Sequence, residues 1–400
     1  MTTKTTNESL RTNLSYQWFS TLYVALLGFF VSIILARKLG VVDFGNYSYV
    51  LSIAGIFLIF QDGGFKTLIF RESVDDSAKL ILPSGVLHVL TLTAIGILSI
   101  LLFQPPYWTA ILTAFGCMGL VVLSNFVSSL FKAKGDFKSD AIWKIIIRTS
   151  TACAILLALF FYDKGSVTPL FVGWSLALIL VLIWPIMKGY LSWPKFNIKG
   201  KFLRASMVFL TIDVATIFYF RSDIVLLEYF GNSKTDVGQY SAAYRILEGL
   251  ILLATPVAQI AFRSLRLRQN HKEFFKLLSS LMFLMLLVSL VIIIIGVLYG
   301  GDIMSIVFGE QYHYAGQLLP LMLFAMLFIL PNAILTQGAI ALNKEIFFAK
   351  TVILVALLNI VLNILLIPDF GAMGAAWTTI FSEGVLFLGL GWFFLHEWMK

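Results

Sequence analysis

Charge is scarce in this sequence. Only 12% of its 400 residues are Asp, Glu, Lys or Arg, and 59% are hydrophobic. A soluble domain carries about 25% charged residues, so a soluble two-domain enzyme is excluded first. No polar stretch is long enough to fold alone, which excludes a single-pass protein with a large ectodomain. Cysteine is nearly absent as well. Cys117 and Cys153 both lie in apolar runs, which argues against a disulfide framework or a thiolate metal site. Also missing are a phosphate-binding P-loop, a GxSxG elbow, an HExxH pair and a CxxC pair. No catalytic constellation stands out, and the expectation is a protein that is not an enzyme.

What is present is apolar sequence in runs. Twelve can be marked, at 15–36, 46–65, 80–103, 108–131, 141–161, 167–187, 203–224, 237–260, 277–299, 315–341, 347–367 and 373–395. Each is near the length that a tilted membrane helix needs, about 20 residues. The runs are continuously apolar rather than alternating, so helices are expected and not a barrel. The first run is longer than a signal-peptide core and has no small-residue cleavage site, so it should stay as the first helix.

The net charge of +8 is explained by the membrane rather than by nucleic acid. With the N-terminus in the cytoplasm, most of the 29 basic residues fall in cytoplasmic loops. Arg37, Lys38, Lys164 and Lys234 fall outside, and Arg148, Arg221 and Arg245 fall within apolar runs. This orientation puts both termini in the cytoplasm.

The chain reads as a duplication. Phe44-Gly45-Asn46-Tyr47-Ser48 lies between the first two helices, and Val237-Gly238-Gln239-Tyr240-Ser241 between the seventh and eighth. Six runs lie in each half, so both halves enter the membrane the same way and a parallel repeat is expected. The expected domains are a six-helix lobe over 1–190, a cytoplasmic linker over 191–202 and a second six-helix lobe over 203–400, flanking a central cavity. Gly45 and Gly238 read as short turns that start a helix.

An ionisable residue inside a membrane helix is a functional candidate by default. On the seventh helix Arg221 and Glu228 fall about 80° and about 60° from Asp213, one face. Asp223 lies to the other side, and for Asp223 and Glu228 a solvated loop charge is an equally good reading. On the eighth, Arg245, Glu248, Pro256 and Gln259 form a polar face, and Arg245 and Glu248 are spaced to pair locally. Pro256 should kink that helix. On the fifth, Lys144, Arg148 and Thr151 follow a 4,3 spacing; Lys144 can snorkel to the interface and Arg148 lies deeper. Asp62 closes the second helix and Glu383 lies within the last. Asn359 and Asn363 suit hydrogen bonds between helices. His88 reads as a packing residue. Trp18, Trp108, Trp193, Trp392 and Trp398 sit near helix ends, as an aromatic belt does.

Three blocks carry a family resemblance: Leu35-Ala36-Arg37-Lys38-Leu39-Gly40 through Asp62-Gly63-Gly64; Arg221-Ser222-Asp223 through Ala243-Tyr244-Arg245; and Asn359 through Gly374-Ala375-Ala376. Together they resemble the bacterial polysaccharide repeat-unit flippases of O-antigen, capsule and exopolysaccharide synthesis. These belong to the multidrug/oligosaccharidyl-lipid/polysaccharide exporter superfamily. The resemblance implies an all-α polytopic membrane protein of about twelve helices in two six-helix lobes around a central cavity, located in the bacterial inner membrane. It implies alternating access and a substrate on an undecaprenyl pyrophosphate carrier. Arg148, Arg221, Arg245 and Gln259 are then the candidate substrate ligands, since guanidinium pairs well with phosphate. Asp62, Asp213, Asp223, Glu248 and Glu383 are candidates for H+ or Na+ coupling or for lining the cavity. No cofactor is expected. The expected partners are lipid-linked oligosaccharide, membrane lipids, and polysaccharide polymerase and chain-length proteins. The alternatives are an ion-coupled drug or cation antiporter of the same superfamily and a peptidoglycan lipid-precursor flippase. A membrane polymerase or ligase would need a catalytic outer loop that the sequence does not offer.

Overall fold

The computed structural model describes residues 2–72, 78–191, 193–196, 200–231, 233–268 and 270–399. Within these, the side chains of 2–14, 72, 78–80, 201, 208, 212, 215, 216, 253–256, 259, 263 and 345 lie outside the description.

An apolar chain in lipid must satisfy its own backbone, and the described residues do so with helices. These are α1 (Thr2–Asp62), α2 (Phe65–Glu72), α3 (Ala78–Phe103), α4 (Trp108–Ala133), α5 (Phe137–Ala158), α6 (Thr168–Met187), α7 (Gly200–Phe230), α8 (Asp236–Arg266), α9 (His271–Phe308), α10 (His313–Phe324), α11 (Met326–Ala341) and α12 (Glu345–Trp398). A straight helix of 61 residues would run about 90 Å, three times the thickness of the hydrocarbon core. Accordingly α1 breaks at Gly40 (φ 78) and α12 breaks at Gly371 (φ 54), giving two crossing lengths each. Helices α10 and α11 are joined through a 41° bend and together match one run. By length and hydropathy, α1, α3, α4, α5, α6, α9 and α12 can cross a membrane, as can the bent pair. The more polar α7 and α8 cover the seventh and eighth runs. Among the described residues, each of the twelve apolar runs is mainly helical, with a turn at Gly63-Gly64 and a break at Ala325. The outward-facing side chains fit lipid: Phe103 is 83% exposed and Phe160 84%.

The chain divides into two units. Unit 1 comprises Met1–Lys38 and Val50–Ile217, and unit 2 comprises Leu39–Tyr49 and Phe218–Lys400. Each unit is thus built from two separate stretches of chain, and α7 is shared between them at residues 217 and 218.

In unit 1 a buried cluster joins Phe65, Leu68 and Ile69 of α2 to Ile81, Val86 and Val89 of α3 and to Val122, Phe126 and Leu130 of α4. Helix α2 lies in what the sequence reading left as a loop. It is only eight residues long, too short to register as a membrane run. His88 of α3 places its Nε2 2.9 Å from the Phe60 carbonyl and its ring 5.4 Å from that of Phe65.

In unit 2 the two repeat motifs meet. A Cβ on Gly45 would lie 2.9 Å from the Gly238 nitrogen, and one on Gly238 would lie 2.0 Å from the Val41 carbonyl oxygen. Both glycines sit within helix and neither has positive φ. This corrects the expectation that they form turns: Gly40 makes the turn, and Gly45 and Gly238 let two backbones touch. The contact is reinforced around it. The Gln239 amide donates to the Gln311 carbonyl at 2.9 Å and accepts from the Ala315 N–H at 2.8 Å. The Phe44 ring meets Tyr312 edge-on.

Candidate functional site

A cavity in unit 1 gathers several positively charged side chains. Its volume is about 410 Å3, and it is lined from α1, α2, α4, α5 and α6. Helical periodicity explains the lining. Val121, Asn125, Ser128 and Lys132 fall on one face of α4, and Lys144, Arg148 and Thr151 on one face of α5. Lys66 comes from the first turn of α2, just past the glycine turn that ends α1. Four cations therefore border one space: Lys66, Lys132, Lys144 and Arg148.

Each is held differently. Lys144 Nζ lies 2.9 Å from Asp140 Oδ2 and donates to Gln17 Oε1 at 2.8 Å. Asp140 is fully buried and also accepts from Gln17 Nε2 at 2.7 Å and from the Ser128 hydroxyl. This network ties α1, α4 and α5 together and neutralises Lys144. Lys132 is attracted by Asp140 and repelled by Lys144 and Lys66. Arg148 reaches α1, where its Nη2 occupies the space of a missing side chain: a Cβ on Gly28 would lie 2.0 Å away. Lys66 is offset in part by Asp62, four residues before it. Like charges held together away from bulk water repel strongly, so the cavity favours an anion.

Two tryptophans complete the wall, Trp143 and Trp174. Trp143 is fixed by its Nε1–H, which donates to the Ser124 carbonyl at 3.0 Å. Just outside the membrane-spanning segments, the Asp136 carboxylate caps α5 by accepting from the Ser139 N–H at 3.0 Å. Hydrogen bonding to Ser139 holds its pKa below the usual carboxylate value.

Unit 2 holds a second polar cluster. Arg245 Nη1 is 2.7 Å from Glu248 Oε2, and Arg221 Nη2 is 3.5 Å from Glu248 Oε1. One carboxylate bridges two arginines, leaving one net positive charge. Asp223 is buried, 4% exposed, and accepts from the Tyr240 hydroxyl at 2.5 Å and the Ile224 N–H at 2.8 Å. That corrects the alternative of a solvated loop charge. Glu383, also buried, accepts from the Tyr219 hydroxyl at 2.5 Å and the Asn332 amide at 2.8 Å. Asn359 donates to Ser382 across the break in α12 and receives Asn363.

The sequence candidates are thus distributed. Arg148 borders the cavity of unit 1. Asp62 and Asp213 lie in the same unit, close enough for their charges to repel. Arg221, Asp223, Arg245, Glu248 and Glu383 lie in unit 2. Asp213 and Arg221, on one face of α7, therefore belong to different units. The side chains of Gln259 and Pro256 lie outside the described residues. Lys66 and Lys132 were missed, because each was counted as a loop charge. The signal for Lys132 was available: it continues the stripe of Asn125 and Ser128. Among the described residues no group of three or more His, Cys, Asp or Glu side chains is arranged to hold a metal.

Fold and site together define a multi-pass, all-α membrane protein with an anion-attracting cavity in one of its two units. Comparison with known proteins gives the family. The polysaccharide biosynthesis protein profile matches residues 10–263, more than half of the chain, and the chain belongs to that family. It is similar to the capsular polysaccharide biosynthesis protein CapF of Staphylococcus aureus, 25% identical over 403 residues covering 96% of this chain and 98% of that one. Among solved structures it shares the fold of the lipid II flippase MurJ, with a TM-score of 0.78 at 14% identity over 94% of this chain and 86% of that one. It also shares the fold of a multidrug resistance MATE family transporter of the MOP superfamily, with a TM-score of 0.63 at 12% identity over 93% of each chain.

Proposed function

We propose that this protein is a flippase that carries oligosaccharide repeat units on undecaprenyl pyrophosphate from the cytoplasmic to the outer leaflet of the bacterial inner membrane, for surface polysaccharide synthesis. The observation that carries the proposal is the cavity bordered by Lys66, Lys132, Lys144 and Arg148. A pyrophosphate diester bears two negative charges close together. Lysine ammonium groups hold it as point charges, and the arginine fork engages its oxygens in pairs. Trp143 and Trp174 offer apolar faces to a sugar beside the phosphates. Family membership and the likeness to CapF support a role in polysaccharide synthesis, and the likeness to a flippase fold supports transport rather than catalysis.

The proposed cycle is alternating access with both termini cytoplasmic. Asp62, Asp213, Asp223, Glu248 and Glu383 are the groups proposed to couple it to H+ or Na+. Polymerase and chain-length proteins would take up the product. The drug-antiporter reading is weaker, since a cationic cavity repels a cationic drug.

The test is flipping of fluorescent undecaprenyl-pyrophosphate oligosaccharide in proteoliposomes, alongside restoration of surface polysaccharide in a deletion strain without a redundant flippase. Each charged hydrogen bond to phosphate is worth about 1.5–3 kcal/mol. Lys66→Ala, Lys132→Ala and Arg148→Ala should therefore each slow flipping by about tenfold or more at equal protein in the membrane. Wild-type rates from the triple variant would reject the proposal.

A further inference from the structure

Lys144 and Arg148 leave α5 one turn apart on one face, yet their charges do not end together. Lys144 Nζ is held at Gln17 of α1, donating to its Oε1 at 2.8 Å, beside Asp140. The Arg148 guanidinium is seated at Gly28 of the same helix, where a Cβ would lie 2.0 Å from Nη2. Between these two anchors the Tyr23 hydroxyl lies 2.8 Å from that of Thr149, so α1 and α5 run side by side through this stretch. Gln17, Thr21, Val24 and Gly28 follow a 4,3,4 spacing and share one face of α1. Thr21 and Val24 line the cavity. Eleven residues of helix rise about 16 Å, and the reach of the Gln17 side chain takes up the smaller part of that. The two cations therefore lie at different heights along one wall.

The other two cations go with Lys144. Lys132 lies in the last turn of α4 and is in electrostatic reach of Asp140, Lys144 and Lys66. Ser128, one turn before Lys132, donates its hydroxyl to Asp140. Ser124, a turn earlier again, accepts from Trp143 Nε1–H. As α5 advances from Asp140 to Trp143, α4 thus retreats from Ser128 to Ser124, and the two helices are antiparallel. The backbone of Lys132 lies beyond Asp140 on the side away from Arg148. The cavity has a mouth cluster of three lysines and one deep guanidinium.

Two phosphates joined through one oxygen are far shorter than this separation, so one pyrophosphate cannot touch both ends at once. Building on the transport reading, we propose that the headgroup occupies two stations in turn: a mouth station at Lys66, Lys132 and Lys144, and a deep station at Arg148. At the mouth, Asp140 and Asp62 offset part of the lysine charge. The anion is drawn in without being trapped, and a path of several moderate sites passes a charge onward better than one strong site. At the deep station the guanidinium fork takes phosphate oxygens in pairs. Thr21 and Val24 form the uncharged interval that the headgroup crosses. The lysines serve capture, and Arg148 serves the step that follows it.

The test uses inorganic pyrophosphate, which has neither lipid nor sugar, titrated calorimetrically into the full-length protein in detergent. The wild type should bind at least two equivalents. Arg148→Ala should weaken one of them by about tenfold or more, the worth of a charged hydrogen bond. Lys66→Ala/Lys132→Ala should weaken a different one by as much. The triple variant should weaken both. The equivalent that survives in each of the first two variants shows that the protein is folded. In the flipping assay the lysine pair should raise the half-saturating substrate concentration, whereas Arg148→Ala should lower the maximal rate. A single equivalent weakened by either variant would overturn the two stations and leave the anion-binding cavity standing. No binding by the wild type would overturn the cavity reading as well, so the two proposals fail separately.

Discussion

Gly28 and Arg148 form a pair in which one residue is defined by what it lacks. The guanidinium occupies the space of the absent side chain, so any Cβ on α1 at this point meets Nη2. The flexible end of Arg148 can move aside for a methyl group, but a larger group fills its seat. Gly28→Ala should therefore reduce flipping moderately and Gly28→Leu should reduce it as much as Arg148→Ala, both at normal protein levels, as read in the proteoliposome assay. In unit 2, Arg245 and Glu248 compensate one another. Their side chains are 19% and 29% exposed, and neighbours in one ion-pair network couple by about 0.5–3 kcal/mol. The double variant Arg245→Ala/Glu248→Ala should destabilise the protein by less than the sum of the two single variants. A thermal unfolding series over the double-mutant cycle would measure this. Additive effects would show that the pair is incidental. Arg148 was visible in the sequence because a deep cation with a 4,3 neighbour pattern has few innocent explanations. Lys66 and Lys132 were not, because a cation near a helix end looks the same whether it faces headgroups or a cavity. Only packing separates the two cases.

Among the elements, the crossing of the two repeat motifs admits the least change. The atom that a Cβ on Gly238 would strike is a backbone carbonyl, which cannot rotate away. Gly238→Ala should lower the stability of the detergent-solubilised protein by about 2 kcal/mol or more, the scale of overpacking in a tight core. Gly55→Ala, where a Cβ meets nothing within 4 Å, should be neutral or slightly stabilising, since alanine favours helix by up to about 1 kcal/mol. Helix α5 offers a test in pH. Because the Asp136 carboxylate has a lowered pKa in the fold, its cap contributes fully above the usual carboxylate pKa and is lost as pH falls through the lower, folded value. Asp136→Ala should remove that dependence and cost about 1 kcal/mol of local stability at neutral pH. Hydrogen exchange at Ser139 would report it. The helices were legible because continuous apolar runs of about 20 residues have one solution in a membrane. Helix α2 was not, since eight residues packed on α3 and α4 carry no periodic signal long enough to read.

At the scale of the molecule, the two short similar motifs stood out in the sequence, but their meeting did not. Residues 39–49 and 236–241 are far apart in the chain, and nothing local in either records that they pack together. Unit 2 contains Leu39–Tyr49 as well as Phe218–Lys400, and unit 1 reaches forward to Ile217. Each half of the sequence therefore completes the other half's fold. A gene cut between α6 and α7 would encode two fragments that each lack a part of themselves. Expressed singly, they should be degraded. Expressed together, they should reassemble by trading those parts. If the chain arose by joining two copies of a six-helix ancestor, the exchange of segments made the fusion difficult to undo.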